Sequence, residues 1–259
     1  MATPASPPPA LAFEHVSFIP ATHRPIFVDL SWQLQRGSFA FLAGRSGGGK
    51  STLLRMATRL IEPDSGRVLC AGRPVRNWNV GALRRHISYV PQRTAVLTGD
   101  VGSELSLPQK WHGLASTPQE LAKILAIVQL PGMALTTSTR TLSEGERSRL
   151  AVARALLLQP AILLLDEPTA ALDPPTALAL LQAIRHWASA EQRTVLLISH
   201  RLHEATNLAS PIHFLLDGQL WGPFATNDLQ TIDLPAPVAR FCSDGGAPGD
   251  GAPDGGTQR

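Results

Sequence analysis

The stretch Gly44-Arg45-Ser46-Gly47-Gly48-Gly49-Lys50-Ser51 satisfies the phosphate-cradling pattern G-x-x-x-x-G-K-[ST] at every fixed position. It constrains the fold more than any other feature, because such a loop works only between a strand and a helix. The apolar run 38–43 before it suits a buried strand, and residues 51–60 after it have helical spacing. Glycines let the backbone curl so that successive N–H groups face phosphate oxygens, and the positive end of the following helix adds to that field. In such a loop Lys50 reaches the terminal phosphates as a point charge, and the Ser51 hydroxyl holds one position on a magnesium ion. A flexible glycine turn that happens to precede a lysine would need neither the strand nor the helix.

Two other apolar runs end in chemistry. Ala161-Ile162-Leu163-Leu164-Leu165 leads into Asp166-Glu167, as expected of a central parallel strand whose carboxyl end is where α/β sheets bind ligands. Asp166 suits the hydration shell of magnesium, and Glu167 can orient and polarise an attacking water. The run 194–198 ends in Ser199-His200, which places His200 at another strand end, within reach of a γ-phosphate. A lone histidine is usually structural, so its position carries that reading. Ser143 followed by Glu146 has the form of a capping box that opens a helix through Leu158, stopped by Pro160. Most such boxes only begin helices.

The remaining elements follow from alternation and turn chemistry. Residues 11–18 and 26–34 alternate as two antiparallel strands around the loop 20–25. After the turn 62–66, residues 67–71 form another strand. The segment 83–92 is expected to end a strand at Pro91 and to set Gln92 where a loop begins. Residues 93–142 break the strand rhythm, with helical patterning over 118–130, and are read as a mostly helical insertion. With the helix that follows, this helical subdomain covers about 93–160. Residues 170–174 turn into a helix over 176–190, and 211–216 with 218–221 form a hairpin around Asp217-Gly218. Residues 1–10 and the Gly, Pro and Asp mixture 243–259 are expected to be disordered, leaving 11–242 as the folded unit.

Composition narrows the class. Hydrophobic content is 44% and charged content 17%, and no uninterrupted apolar run reaches the roughly eighteen residues a bilayer span needs. The first residues lack the basic patch and apolar core of a signal peptide, so a cytoplasmic location is expected. Net charge is +3, from 23 basic and 20 acidic side chains, which is too balanced to argue for nucleic acid. Cys70 and Cys242 have no C-x-x-C partners and are read as reduced thiols.

In chain order, residues 44–51, Gln92, 142–146, 162–167, 171–173 and His200 resemble the Walker A loop, Q-loop, signature, Walker B strand, D-loop and switch histidine of the ATPase subunit of ABC transporters. The resemblance covers about residues 11–225. It implies an α/β fold: a P-loop NTPase core with a mainly parallel sheet, an N-terminal antiparallel β-subdomain and an inserted helical subdomain. ATP and Mg2+ are the implied ligands. Gly44, Arg45, Ser46, Gly47, Gly48, Gly49, Lys50, Ser51 and Thr52 would surround the phosphates, while Ser143 and Gly145 would act in trans on the ATP of a second copy. Lys50, Gln92, Glu167 and His200 form the implied catalytic set, and Ser51, Gln92 and Asp166 the metal set. The resemblance also implies a head-to-tail homodimer, docked to separate membrane-spanning permease subunits on the inner face of the cell membrane. The segment 98–108 looks somewhat like Fet-type ATPases paired with a metal-export permease, although amino-acid, phosphate and lipid systems use similar short cassettes.

Two departures stand out. The family signature reads Leu-Ser-Gly-Gly-Gln, whereas Glu144 and Glu146 stand here at its third and fifth places. Glutamate at the last place is a common variant, but a carboxylate at 144 repels a triphosphate unless it turns away. Pro20 stands where an adenine-stacking tyrosine is expected, leaving Phe18 and His23 as the candidates. Two other classes stay open. A non-transport ABC ATPase usually carries a coiled-coil insertion or tandem cassettes, and neither pattern is present here. A regulatory module that binds ATP and barely hydrolyses it is disfavoured by Glu167 and His200 and favoured by Glu144.

Overall fold

The computed structural model describes residues 7–21, 24–93, 99–230 and 233–244. The first alternation forms β1 (Leu11–Phe18) and β2 (Phe27–Leu34), antiparallel, with Phe18 opposite Phe27 and Phe13 opposite Trp32. On β2, Phe27, Leu30, Trp32 and Leu34 are buried and the residues between them face outward, the pattern of a sheet covered on one side. The ordered backbone starts earlier than composition suggests. Ala10 is buried, its N–H donates to the Leu34 carbonyl at 2.9 Å, and its own carbonyl accepts from the Ala71 N–H at 3.0 Å.

β3 (Phe39–Ala43) runs into the glycine loop and then α1 (Lys50–Ala57). This helix is shorter than its spacing suggests. The Thr58 hydroxyl turns back onto the Leu54 and Arg55 carbonyls, and Arg59 has a φ of 53°, which ends the helical path. β4 (Ser65–Cys70) and β5 (Arg73–Pro74) complete a four-stranded antiparallel sheet in the order β2-β1-β4-β5.

Residues 83–86, read from sequence as strand, belong to α2 (Val80–His86), and β6 is confined to Ile87–Val90. The cause is local: the Asn79 side chain accepts the Ala82 N–H at 3.1 Å and caps a helix that buries Leu83. α3 (Val101–Trp111), α4 (Pro118–Ile127) and α5 (Glu144–Leu156) follow. Capping boxes open both α4, through Thr117 and Glu120, and α5, through Ser143 and Glu146. Both α3 and α4 pack on α5, which itself packs on β6, so the helical insertion shares a core with the sheet.

β7 (Ile162–Asp166), α6 (Pro174–Ala190), β8 (Thr194–Ile198), α7 (Leu202–Asn207), β9 (Ile212–Leu216), β10 (Gln219–Phe224) and α8 (Ala236–Ser243) complete the chain. The second sheet has the order β10-β9-β3-β8-β7-β6, with β10 antiparallel and the other neighbours parallel. Period-two side-chain geometry gives it two buried faces. Phe41, Leu163, Leu165, Val195 and Leu197 join the helices α3 to α6 in one core, while Ala40, Leu42, Ile162, Leu164, Leu196 and Ile198 join α1 and the antiparallel sheet in the other. Helix α8 was not expected. It follows Pro235 and buries Val238 and Phe241 against the first of these cores.

Candidate functional site

β3 lies in the middle of the parallel sheet, hydrogen-bonded to β8 on one side and β9 on the other, so the glycine loop leaves from the carboxyl edge where the neighbouring strands also end. At Gly44, φ is +148° and a Cβ would lie 2.3 Å from the Leu215 carbonyl oxygen; at Gly49, φ is +94° and a Cβ would meet Ile26 Cγ2 at 2.4 Å. Only glycine fits either place. Gly49 is also the N-cap of α1 and offers no side chain to its first turn, so the N–H groups there are open to an anion.

Lys50 heads α1 and is 6% exposed. Its ammonium donates to the carbonyls of Gly44 at 2.8 Å and Arg45 at 2.9 Å. Burial lowers its pKa from the usual lysine value, and the nearby carboxylates of Glu167 and Asp166 oppose that shift. Ser51 and Thr52 follow, half-buried, while Arg45, Ser46 and Gly47 are exposed along the rim.

The carboxylate pair closes β7. Asp166 is buried; its Oδ2 accepts the Tyr89 hydroxyl at 3.0 Å, and its Oδ1 is buried with no hydrogen-bond partner. Burial and the adjacent Asp166 charge push the Tyr89 phenol up to about 12, so it is a donor at neutral pH. Glu167 takes a φ of +52°, uncommon away from glycine, and its N–H is tied to the Ile198 carbonyl at 3.0 Å. Its side chain is bracketed: Gln92 Nε2 donates to Oε2 at 2.8 Å, and His200 Nε2 lies 2.8 Å from Oε1. Two residues, from the ends of β6 and β8, therefore converge on the carboxylate at the end of β7.

Ser143 and Gly145 are elsewhere. Gly145 is packed so closely that a Cβ would lie 2.8 Å from Leu172 Cδ2 and 3.0 Å from the Ala171 carbonyl oxygen. The Ser148 hydroxyl adds a bond to the Pro168 carbonyl at 3.0 Å. This binds the start of α5 to the turn that follows Glu167. Ser143 is exposed, exchanges bonds with Glu146, and makes no hydrogen bond to the glycine loop among the described residues. Those bonds hold the Glu146 carboxyl below its usual range. Glu144 is exposed in the first turn of the same helix.

Beside the loop, Pro20, Arg24, Pro25, Ile26, Val28 and Gly218 help to line a cleft of about 730 Å³. Phe18, one candidate for base stacking, packs into the core under the antiparallel sheet and is not part of this lining; His23, the other, lies outside the described residues. Sequence reasoning missed Arg24 and Tyr89. The second had a signal: it is the chain's one tyrosine, three residues before Gln92.

The residues at the sheet edge fit a divalent cation beside a triphosphate. Asp166 Oδ1 is a buried oxygen left without a donor, and Ser51, Asp166 and Gln92 each carry a hard oxygen atom, the kind magnesium takes.

Residues 27–170 match the ABC transporter family. YjkB of Bacillus subtilis (strain 168), described as an ABC transporter ATP-binding protein, is 40% identical over 196 residues, covering 75% of this chain and 77% of its own. The glycine betaine uptake system ATP-binding protein YehX of Escherichia coli (strain K12) is 35% identical over 214 residues, covering 81% of this chain and 69% of its own. The solved structure of a bacterial Atm1-family ABC exporter with ATP bound superposes with a TM-score of 0.80 at 28% identity, over 95% of this chain and 44% of the exporter chain. The chain belongs to the ABC transporter family, as an ATP-binding domain. It is an ATPase of the ABC type.

Proposed function

We propose that this domain hydrolyses Mg-ATP as one half of a head-to-tail homodimer and drives solute movement through permease subunits carried on separate chains, from a position on the inner face of the membrane. The observation that carries this reading is the convergence of Gln92 and His200 on Glu167, next to Lys50 and Asp166. Glu167 would orient the attacking water, His200 would contact the γ-phosphate, and Lys50 with the loop amides would stabilise the transferring group. Ser51, Asp166 and Gln92 would hold magnesium, which supplies neutralisation of phosphate charge when bound. Ser143 and Gly145 would serve a second copy, a reading supported by Gly145 packing on Ala171 and Leu172 and by Ser143 being exposed with its hydrogen bonds spent on Glu146.

Two further observations support a docked membrane partner. No helix among the described residues is long and apolar enough to cross a membrane. Leu60, Val80 and Trp111, the last 70% exposed, border an apolar groove of about 590 Å³ between α2, β6, α3 and α5, an exposed apolar surface of the kind that marks a contact. Separate chains are favoured because YjkB and YehX are matched over 77% and 69% of their lengths, which leaves little of either for a membrane region.

The test is ATP turnover and size-exclusion chromatography of the wild type and Glu167→Gln in Mg-ATP. The expected result is turnover by the wild type and an ATP-bound dimer of the variant with turnover reduced by about 100-fold or more. A variant that hydrolyses ATP as fast as the wild type would remove Glu167 from its role. A variant that stays monomeric at saturating nucleotide would remove the trans arrangement.

A further inference from the structure

Tyr89 stands on the edge strand of the parallel sheet and reaches across to Asp166. The residue borders the groove at the edge of the sheet, and its side chain packs against the core that α1 shares with the antiparallel sheet. Its hydroxyl donates at 3.0 Å to Asp166 Oδ2, the hydrogen bond that the side chain of this buried carboxylate accepts among the described residues. Arg55, in the last turn of α1, stands beside the same hydroxyl. A carboxylate at the end of a strand can rotate about its terminal bond, so a single donor on one oxygen decides where the other faces. With Oδ2 committed to Tyr89, Oδ1 is the atom left for the phosphate edge.

We propose that Tyr89 is the positioning residue for Asp166: its hydroxyl sets the carboxylate so that Oδ1 is turned to the metal of the nucleotide. It needs only that Mg-ATP binds. Partners that orient a metal-binding carboxylate are commonly worth about 10- to 100-fold in metal affinity. A tyrosine kept only for packing would predict something else, since phenylalanine fills the same space without touching Asp166.

The experiment compares the full-length wild type with Tyr89→Phe. Mn2+ is titrated in the presence of a non-hydrolysable ATP analogue and followed by electron paramagnetic resonance; binding of the analogue alone is measured in EDTA. The expected result is Mn2+ affinity weakened about tenfold, with metal-free analogue binding within about twofold of wild type and the melting temperature maintained. Equal Mn2+ affinities would overturn the proposal, and so would a parallel loss of metal-free binding, which marks a packing role. A wild type that binds the analogue but no Mn2+ would instead remove the metal from the site, and the positioning role with it.

Because the chain has one tyrosine, fluorotyrosine labelling gives one 19F resonance without assignment. Adding magnesium to the analogue complex is expected to shift that resonance in the wild type and to leave it in place in Asp166→Asn. A resonance that ignores magnesium in the wild type would show that the hydroxyl is not coupled to the metal carboxylate.

Discussion

Gln92 and Glu167 share a hydrogen bond of 2.8 Å although one leaves β6 and the other β7. The amide donates, so it holds the direction of the carboxylate. Gln92→Glu replaces that donor with a second carboxylate, and two carboxylates at this distance share a proton. The expected outcome is turnover about tenfold or more below wild type at neutral pH, with the acid limb of the pH–rate profile moved upward. Steady-state assays across pH read both. An unchanged profile would mean that the contact is not maintained with ATP bound.

Gly145 lies where any Cβ would press on Leu172 Cδ2 and the Ala171 carbonyl. Gly145→Ala is expected to cost about 1–3 kcal/mol of stability, the usual range for overpacking a closed contact. Adding Leu172→Ala removes one of the two obstructing groups, so the double variant should be more stable than the sum of the single changes predicts. Urea unfolding of the four proteins tests this, and simple additivity would show that the contact is not what Gly145 protects.

His213 is buried, and its Nδ1 accepts the Trp32 indole N–H at 3.1 Å. Burial lowers its pKa from 6.5 to about 4. An unfolded histidine therefore takes up a proton near pH 6.5 and the folded one only near pH 4, so the unfolded chain is favoured as pH falls between these values. This residue alone is expected to remove up to about 3 kcal/mol over that window. His213→Gln, whose amide oxygen can still accept from Trp32, should lose less stability between pH 7 and pH 4.5 than the wild type does. Thermal unfolding at the two pH values gives the comparison, and equal losses would place the acid sensitivity elsewhere.

Much of the site was legible because its chemistry is local. The glycine loop, the two carboxylates after an apolar run and the capping box at Ser143 each depend on residues within a few positions of one another. The limits of α1 and α2 were harder, since they depend on Thr58 bonding backward and on Asn79 capping forward, and alternation is blind to both. Helix α8 was hidden by its proline and alanine content, and only its packing shows that Val238 and Phe241 meet the sheet core. Arg24 and Tyr89 could not be assigned from pattern alone. Their places depend on how a loop or a strand faces residues far along the chain, and only the register of the sheets supplies that. The same limit applies to Gly145, whose partners Ala171 and Leu172 become visible only when α5 is packed.

The central position of β3 also determines when the site can come into being. Its two hydrogen-bonded neighbours are β8 and β9, and the Leu215 carbonyl sits against Gly44. As the chain leaves the ribosome, the glycine loop emerges early, but β3 gains β8 only once residue 198 has followed and its second neighbour, β9, only once residue 216 has. Interrupted synthesis would yield a chain that contains the whole loop sequence and still cannot grip ATP.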